Sequence, residues 1–230
     1  MDAADVYAAG RARVISLVTE ADAGSLEGRV PATPAWTGRD LLAHLVGVPS
    51  DVVAGRLDGA GTDAWSARQV AERSGRSVAE LVEEWRSTAE AFDPMLRAGP
   101  PGMMGALAAD IAQHELDLHG LLGTSAGESM AEAVDFGLNF MLGWLGGRVG
   151  KAGLGALRLQ AGSQEWTMGE GDVAASVSTT PLELFRVVAG RRSAAQVRAL
   201  DWTGDPTPYL DVLSAFGPLA SADLIERLEA

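Results

Sequence analysis

The chain has 230 residues, a formal net charge of −13, three histidines and no cysteine. Its 47% apolar and 21% charged content suits a folded protein of one large or two small domains rather than a disordered one. The acidic balance argues against tracking of nucleic-acid phosphates, and the lack of cysteine excludes disulfides, thiolate metal ligands and a protein thiol nucleophile. The sequence shows no basic-then-apolar leader and no apolar run near the ~20 residues that span a bilayer. A cytoplasmic location with no membrane or nucleic-acid partner is the expectation.

In chain order, Val6, Val14, Ile15, Leu17 and Val18 among alanines and charges predict an amphipathic helix over roughly 3–22. Pro31 and Pro34 then hold an extended loop, and Thr37 before Gly38-Arg39-Asp40 fits a capping box. A second helix is expected from there to about 58, interrupted or bent at Pro49. A connector with one short helix leads to Ser77-Val78-Ala79-Glu80, a capping box that opens a third long helix to about 97, stopped by AGPPG. A further helix spans about 103–122 and closes at Gly123, and Ser129 with Glu132 opens another that reaches the glycines from Gly146 onward.

Beyond about residue 153 the texture changes. ALRLQAG, EWTMGEG and DVAASVSTT alternate and are separated by glycines, which predicts strands joined by turns. Pro181 starts a helix to Val188, a short segment reaches Asp201-Trp202, and a last helix is expected from about 208. The fold class is therefore α+β: a helical bundle over 1–150 and a smaller α+β domain over 151–230.

The histidines are the chemically informative residues. At ~100° per residue, His44 sits about 40–60° from Val48 and Leu41, on the edge of its helix's apolar stripe. On the later helix, Asp110, His114 and Asp117 form one ridge within about 60°, while Glu115 and His119 point elsewhere. If the two ridges meet, two imidazoles and one carboxylate suit a borderline divalent metal and leave coordination positions open. Asp117 would then orient a ligating ring or act as a base. The same pattern also fits half-buried, hydrogen-bonded histidines with acids on a solvated face. His119 fits a surface histidine at a helix C-terminus, Glu115 an exposed or ion-paired acid, and Trp36 a packing residue or a pocket wall.

Several stretches carry a resemblance. VPATPAWTGRDLLAHLVGVPSDVVAGRLDG, ERSGRSVAELVEEW and AADIAQHELDLHGLLG resemble the mycothiol-dependent maleylpyruvate isomerase family, within the DinB-like metalloprotein superfamily. GLGALRLQAGSQEWTMGEGD and LFRVVAGRRSAAQVRALDWTGD are similar to that family's C-terminal domain. The resemblance implies a four-helix bundle holding a divalent ion, commonly zinc, followed by a sterol-carrier-like α+β domain. It places the first ligand at His44 and the family's Glu-x-x-x-His pair at Asp110 and His114, with Asp in place of Glu.

The implied chemistry is mycothiol-dependent isomerisation or S-transfer on a small electrophile, the thiol supplying the sulfur that a cysteine-free chain lacks. Asp117 is then the candidate catalytic residue, and Arg39 and Arg191, beside Arg192, are candidates for binding an anionic group of cofactor or substrate. The expected partners are the small-molecule thiol and an electrophilic substrate, in a monomer or homodimer. The alternatives are a non-catalytic metal- or ligand-binding protein of the same fold, supported by the Glu-to-Asp departure, and a metal-dependent hydrolase.

Overall fold

The computed structural model describes residues 2–22, 24–226 and 228. The chain begins with helices α1 (Ala3–Glu20), α2 (Gly38–Ala54), α3 (Asp63–Glu72), α4 (Val78–Ala98) and α5 (Pro101–Leu122). Both expected capping boxes form. The Thr37 hydroxyl accepts from the Asp40 amide at 3.1 Å, and the Asp40 carboxylate accepts from the Thr37 amide at 2.9 Å. Ser77 and Glu80 do the same at the start of α4. Helix α2 runs through Pro49 and ends at Gly55, whose φ of 68° is the left-handed conformation that glycine adopts without a Cβ penalty. That stop comes before the expected residue 58.

Helices α1 and α2 each pack on both α4 and α5, which closes a four-helix bundle, and α3 lies against α2. Leu41, Leu42 and Leu45 of α2, Leu81 and Trp85 of α4, and Ile111 and Leu118 of α5 are buried together in its core. These positions follow the helical period, so burial of one apolar stripe per helix holds the bundle together.

The chain divides into two compact units. The first holds the residues up to Gly127 with Glu226 and Leu228, and the second holds Glu128–Ile225. Helix α6 (Ala131–Lys151) therefore groups with the second unit, and the division falls earlier than the one near 150 read from the sequence. The reason is packing: α6 lies on α7 (Pro181–Val188) and on strands β1 (Ala156–Ala161) and β2 (Gln164–Met168). Gly137 makes that approach possible, since a Cβ there would stand 2.6 Å from Phe185 Cε2. Helix α6 starts after a 3₁₀ turn over Glu128–Met130, with Met130 at its N-cap and no side-chain cap bond from it.

The remaining elements are β3 (Val173–Thr179), α8 (Ala194–Arg198) and β4 (Asp201–Thr203). The strands form one sheet in the order β2-β1-β3-β4, antiparallel except for the parallel pair β1 and β3. The short return from β2 to β3 needs Gly169 and Gly171, at φ 87° and 86°. The fold class is thus the expected one, a four-helix bundle followed by a small α+β domain. The helix expected from about 208 is replaced by a 3₁₀ turn over Thr207–Tyr209 and irregular chain. Tyr209, Leu210 and Leu213 are buried, but the Ala215 amide donates to Val188 O at 2.7 Å and the Arg148 guanidinium to Ser214 O. Those tertiary bonds, with Gly217-Pro218 following, take the backbone groups that a helix would have used.

Candidate metal centre

His44, Asp110 and His114 converge inside the first unit, each offering one ligand atom, and those atoms all lie within 4.8 Å of one another. His44 Nε2 stands 3.8 Å from Asp110 Oδ2, and His114 Nε2 stands 3.5 Å from Asp110 Oδ1. Both are longer than a good hydrogen bond. Ligands at about 2.1 Å from a tetrahedral ion stand about 3.4 Å apart, close to these separations. The shorter Asp side chain therefore still reaches both rings. The imidazoles are buried, while the Asp110 carboxylate is 37% exposed, so the cluster has one solvent-facing side.

The outer nitrogens explain why the inner ones face each other. His114 Nδ1 lies 3.0 Å from Asp117 Oδ2, and His44 Nδ1 lies 2.8 Å from Gln69 Oε1. A carboxylate only accepts, so His114 carries its proton on Nδ1. The Gln69 Nε2 donates to Asp51 Oδ2 at 2.8 Å, which turns the amide oxygen toward His44 and places that ring's proton on Nδ1 as well. Both Nε2 lone pairs then face the Asp110 carboxylate. Two imidazole nitrogens and one carboxylate oxygen gathered at such short range are a donor set that fits a divalent ion.

Asp51 is the anchor of the α2 side. It is fully buried and accepts from Gln69, from Arg68 Nη2 at 2.9 Å and from Arg56 Nε at 2.8 Å. Burial pushes its pKa up, but these hydrogen bonds outweigh that and hold it below the ordinary carboxylate value. A depressed native pKa gives stability that is present above the unfolded value and lost as pH falls through the native one. Asp51→Asn is therefore expected to flatten the pH dependence of unfolding free energy below about pH 4, as read by denaturant titrations across the acid range.

Sequence reasoning brought His44, Asp110, His114 and Asp117 to one place, and the structure does the same. Trp36 lies against both rings, with centroids 5.1 Å from His44 and 6.3 Å from His114. The structure adds Gln69, Asp51 and Trp65, the last 6.4 Å edge-on to His44. Asp51 shares the His44 face of α2 at i+7, a signal the sequence did carry. Gln69 had none, because only the packing of α3 on α2 brings it near.

Glu115 is not among the cluster. It is buried and held by Arg13 at 2.6 and 2.9 Å, its pKa raised by burial and partly lowered again by that guanidinium. His119 is half-buried and bonded through Nδ1 to Thr124 Oγ1 at 2.8 Å; burial lowers its pKa. Arg39 pairs with Glu27 at 3.1 Å, and Arg191 Nη1 donates to Ala189 O at 3.2 Å in the second unit. Arg192 is engaged bidentately by Glu183 at 2.7 and 2.8 Å.

Residues 7–119 match the profile of the Mycothiol maleylpyruvate isomerase N-terminal domain. The N-terminal domain belongs to that family. Two solved structures share the fold over 87% of this chain and 91% of their own: a mycothiol-dependent maleylpyruvate isomerase, at TM-score 0.61 and 14% identity, and a His-to-Ala mutant described by the same name, at 0.60 and 13%. No curated protein matches the sequence. No helix among the described residues is long and apolar enough to cross a membrane.

Proposed function

We propose that this member of the mycothiol maleylpyruvate isomerase N-terminal domain family binds a zinc ion through His44, Asp110 and His114. On this reading it is a cytoplasmic enzyme that uses mycothiol in an isomerisation or S-transfer on a small electrophile. The observation that carries the metal is the pair of Nε2 donors preset toward one carboxylate on a partly open side. A bound ion would supply Lewis-acid charge that lowers the pKa of a thiol or water beside it. The chain has no cysteine, so the attacking sulfur comes from the small thiol. In the isomerisation, that sulfur adds to a conjugated cis double bond, the resulting single bond rotates, and elimination returns the thiol and the trans isomer.

The residues of the chain divide the work by position. His44 and His114 turn Nε2 toward Asp110 because their Nδ1 atoms are engaged by Gln69 and Asp117. Trp36 flanks both rings with an apolar face against which substrate can lie. Arg39 and Arg191 are the candidates for pairing with an anionic group of thiol or substrate. Asp117 touches Nδ1 of His114 and is fully buried, so the catalytic role expected for it is that of a positioning residue acting through the ring.

Asp117→Ala should therefore weaken zinc affinity about 10–100-fold, by competition with a chromophoric chelator, with the helical circular dichroism unchanged. The functional test incubates zinc-loaded protein with mycothiol. It follows sulfur–metal contact by X-ray absorption and turnover on a panel of activated alkenes and other electrophiles. Thiol-dependent turnover with sulfur bound to the ion is the expected result. Turnover without thiol would identify a hydrolase, and neither turnover nor sulfur contact a binding protein.

A further inference from the structure

The ligand His44 is held from α3, a short helix outside the four that form the bundle. Gln69 reaches it because α2 carries a notch one turn beyond the histidine. A Cβ on Gly47 would stand 2.6 Å from Gln69 Cβ and 2.7 Å from its Cγ, so only glycine admits the Gln69 stem this close. The amide is then anchored at its other end by Asp51, itself clamped by Arg56 and Arg68, and the end of α3 is fastened to α4 by Arg73 Nη2 donating to Glu84 Oε1 at 2.6 Å. Trp65 of the same helix donates to Arg56 O at 3.1 Å and edges the His44 ring. Every polar atom of the Gln69 side chain has a partner that fixes which way the amide faces.

We propose that Gln69, admitted by Gly47 and anchored by Asp51, is a positioning residue that locks His44 as the Nδ1–H tautomer and so presets its Nε2 as a metal donor. This rests on the metal reading of the site. An imidazole without an outer acceptor populates both tautomers and rotates more freely, and only one of the two presents a lone pair at Nε2. Helix α3 is thus a bracket for one ligand, doing on α2 what Asp117 does for His114 within α5.

The test uses the full-length chain, metal-free and then titrated with zinc. Long-range ¹⁵N–¹H correlation spectra, taken above the ordinary imidazole range, report the tautomer of each histidine directly. In the unaltered protein His44 should be wholly Nδ1–H. Gln69→Leu removes the acceptor and Gly47→Ala displaces it with its chemistry intact. Both should move His44 to a tautomer mixture, leave His114 unchanged as an internal control, and weaken zinc binding about 10–100-fold.

An Nε2–H tautomer for His44 in the unaltered protein overturns the proposal without needing any variant to fold. So does an unchanged tautomer and zinc affinity in both variants. If the unaltered protein binds no zinc while the tautomer responds as expected, the metal reading fails and the Gln69 lock on the ring stands.

Discussion

His44→Ala is expected to remove zinc and thiol-dependent turnover together. The variant keeps Asp110 and His114, but a single imidazole and a carboxylate are one donor short of the three-ligand sets that hold catalytic zinc. Binding to the native state alone stabilises a protein by about 2.7 kcal/mol at a ligand concentration one hundred times Kd. Zinc should therefore raise the melting temperature of the unaltered protein and leave that of His44→Ala where it was. Metal content after dialysis and the thermal shift with and without zinc check this independently of any substrate. A variant that retained stoichiometric zinc would remove His44 from the site. The contrast with Asp117→Ala is informative, because that change keeps all three donors and loosens only the orientation of one ring.

The second large effect concerns stability. Arg13 on α1 and Glu115 on α5 form a bidentate pair in which the carboxylate is wholly buried and the guanidinium side chain 25% exposed. Removing one partner leaves an uncompensated charge in the helix interface. Arg13→Ala should cost about 3–5 kcal/mol of unfolding free energy at neutral pH. The double change of Arg13→Met with Glu115→Leu should recover most of the loss, since two apolar side chains of similar volume need no solvation. Denaturant midpoints of the two variants decide it: an Arg13→Ala protein within about 1 kcal/mol of the original would mean that water reaches Glu115 once the arginine is gone.

The same residue shows what a helical wheel can and cannot say. The wheel turns Glu115 away from the Asp110–His114 ridge and allows it to be exposed or ion-paired; the structure has it ion-paired, toward α1. The wheel fixes direction around one helix; only the packing of α1 on α5 says what lies in that direction.

Local chemistry determined most of the elements without help from the rest of the chain. Thr37 and Ser77 with their acids at N3, the glycine at 123, and Pro181 mark helix ends through bonds or dihedrals spanning a few residues, so they are legible in one dimension. The stripe positions of His44 and of the Asp110–His114–Asp117 ridge follow from 3.6 residues per turn, which is why these residues stand out as candidates in the sequence.

Tertiary structure alone decided the rest. The compact division after Gly127 arises because α6 packs on α7 and the sheet, a preference between two apolar surfaces that its own sequence does not express. The 3₁₀ turn at Thr207–Tyr209 replaced a helix because Val188 and Arg148, far away in sequence, bond the backbone of residues 214 and 215. The tautomer of His44 depends on an amide 25 residues further on, brought in by a missing Cβ at Gly47. A long-range hydrogen bond leaves no periodicity in either partner's segment, so its place in the chemistry appears only when the helices are packed.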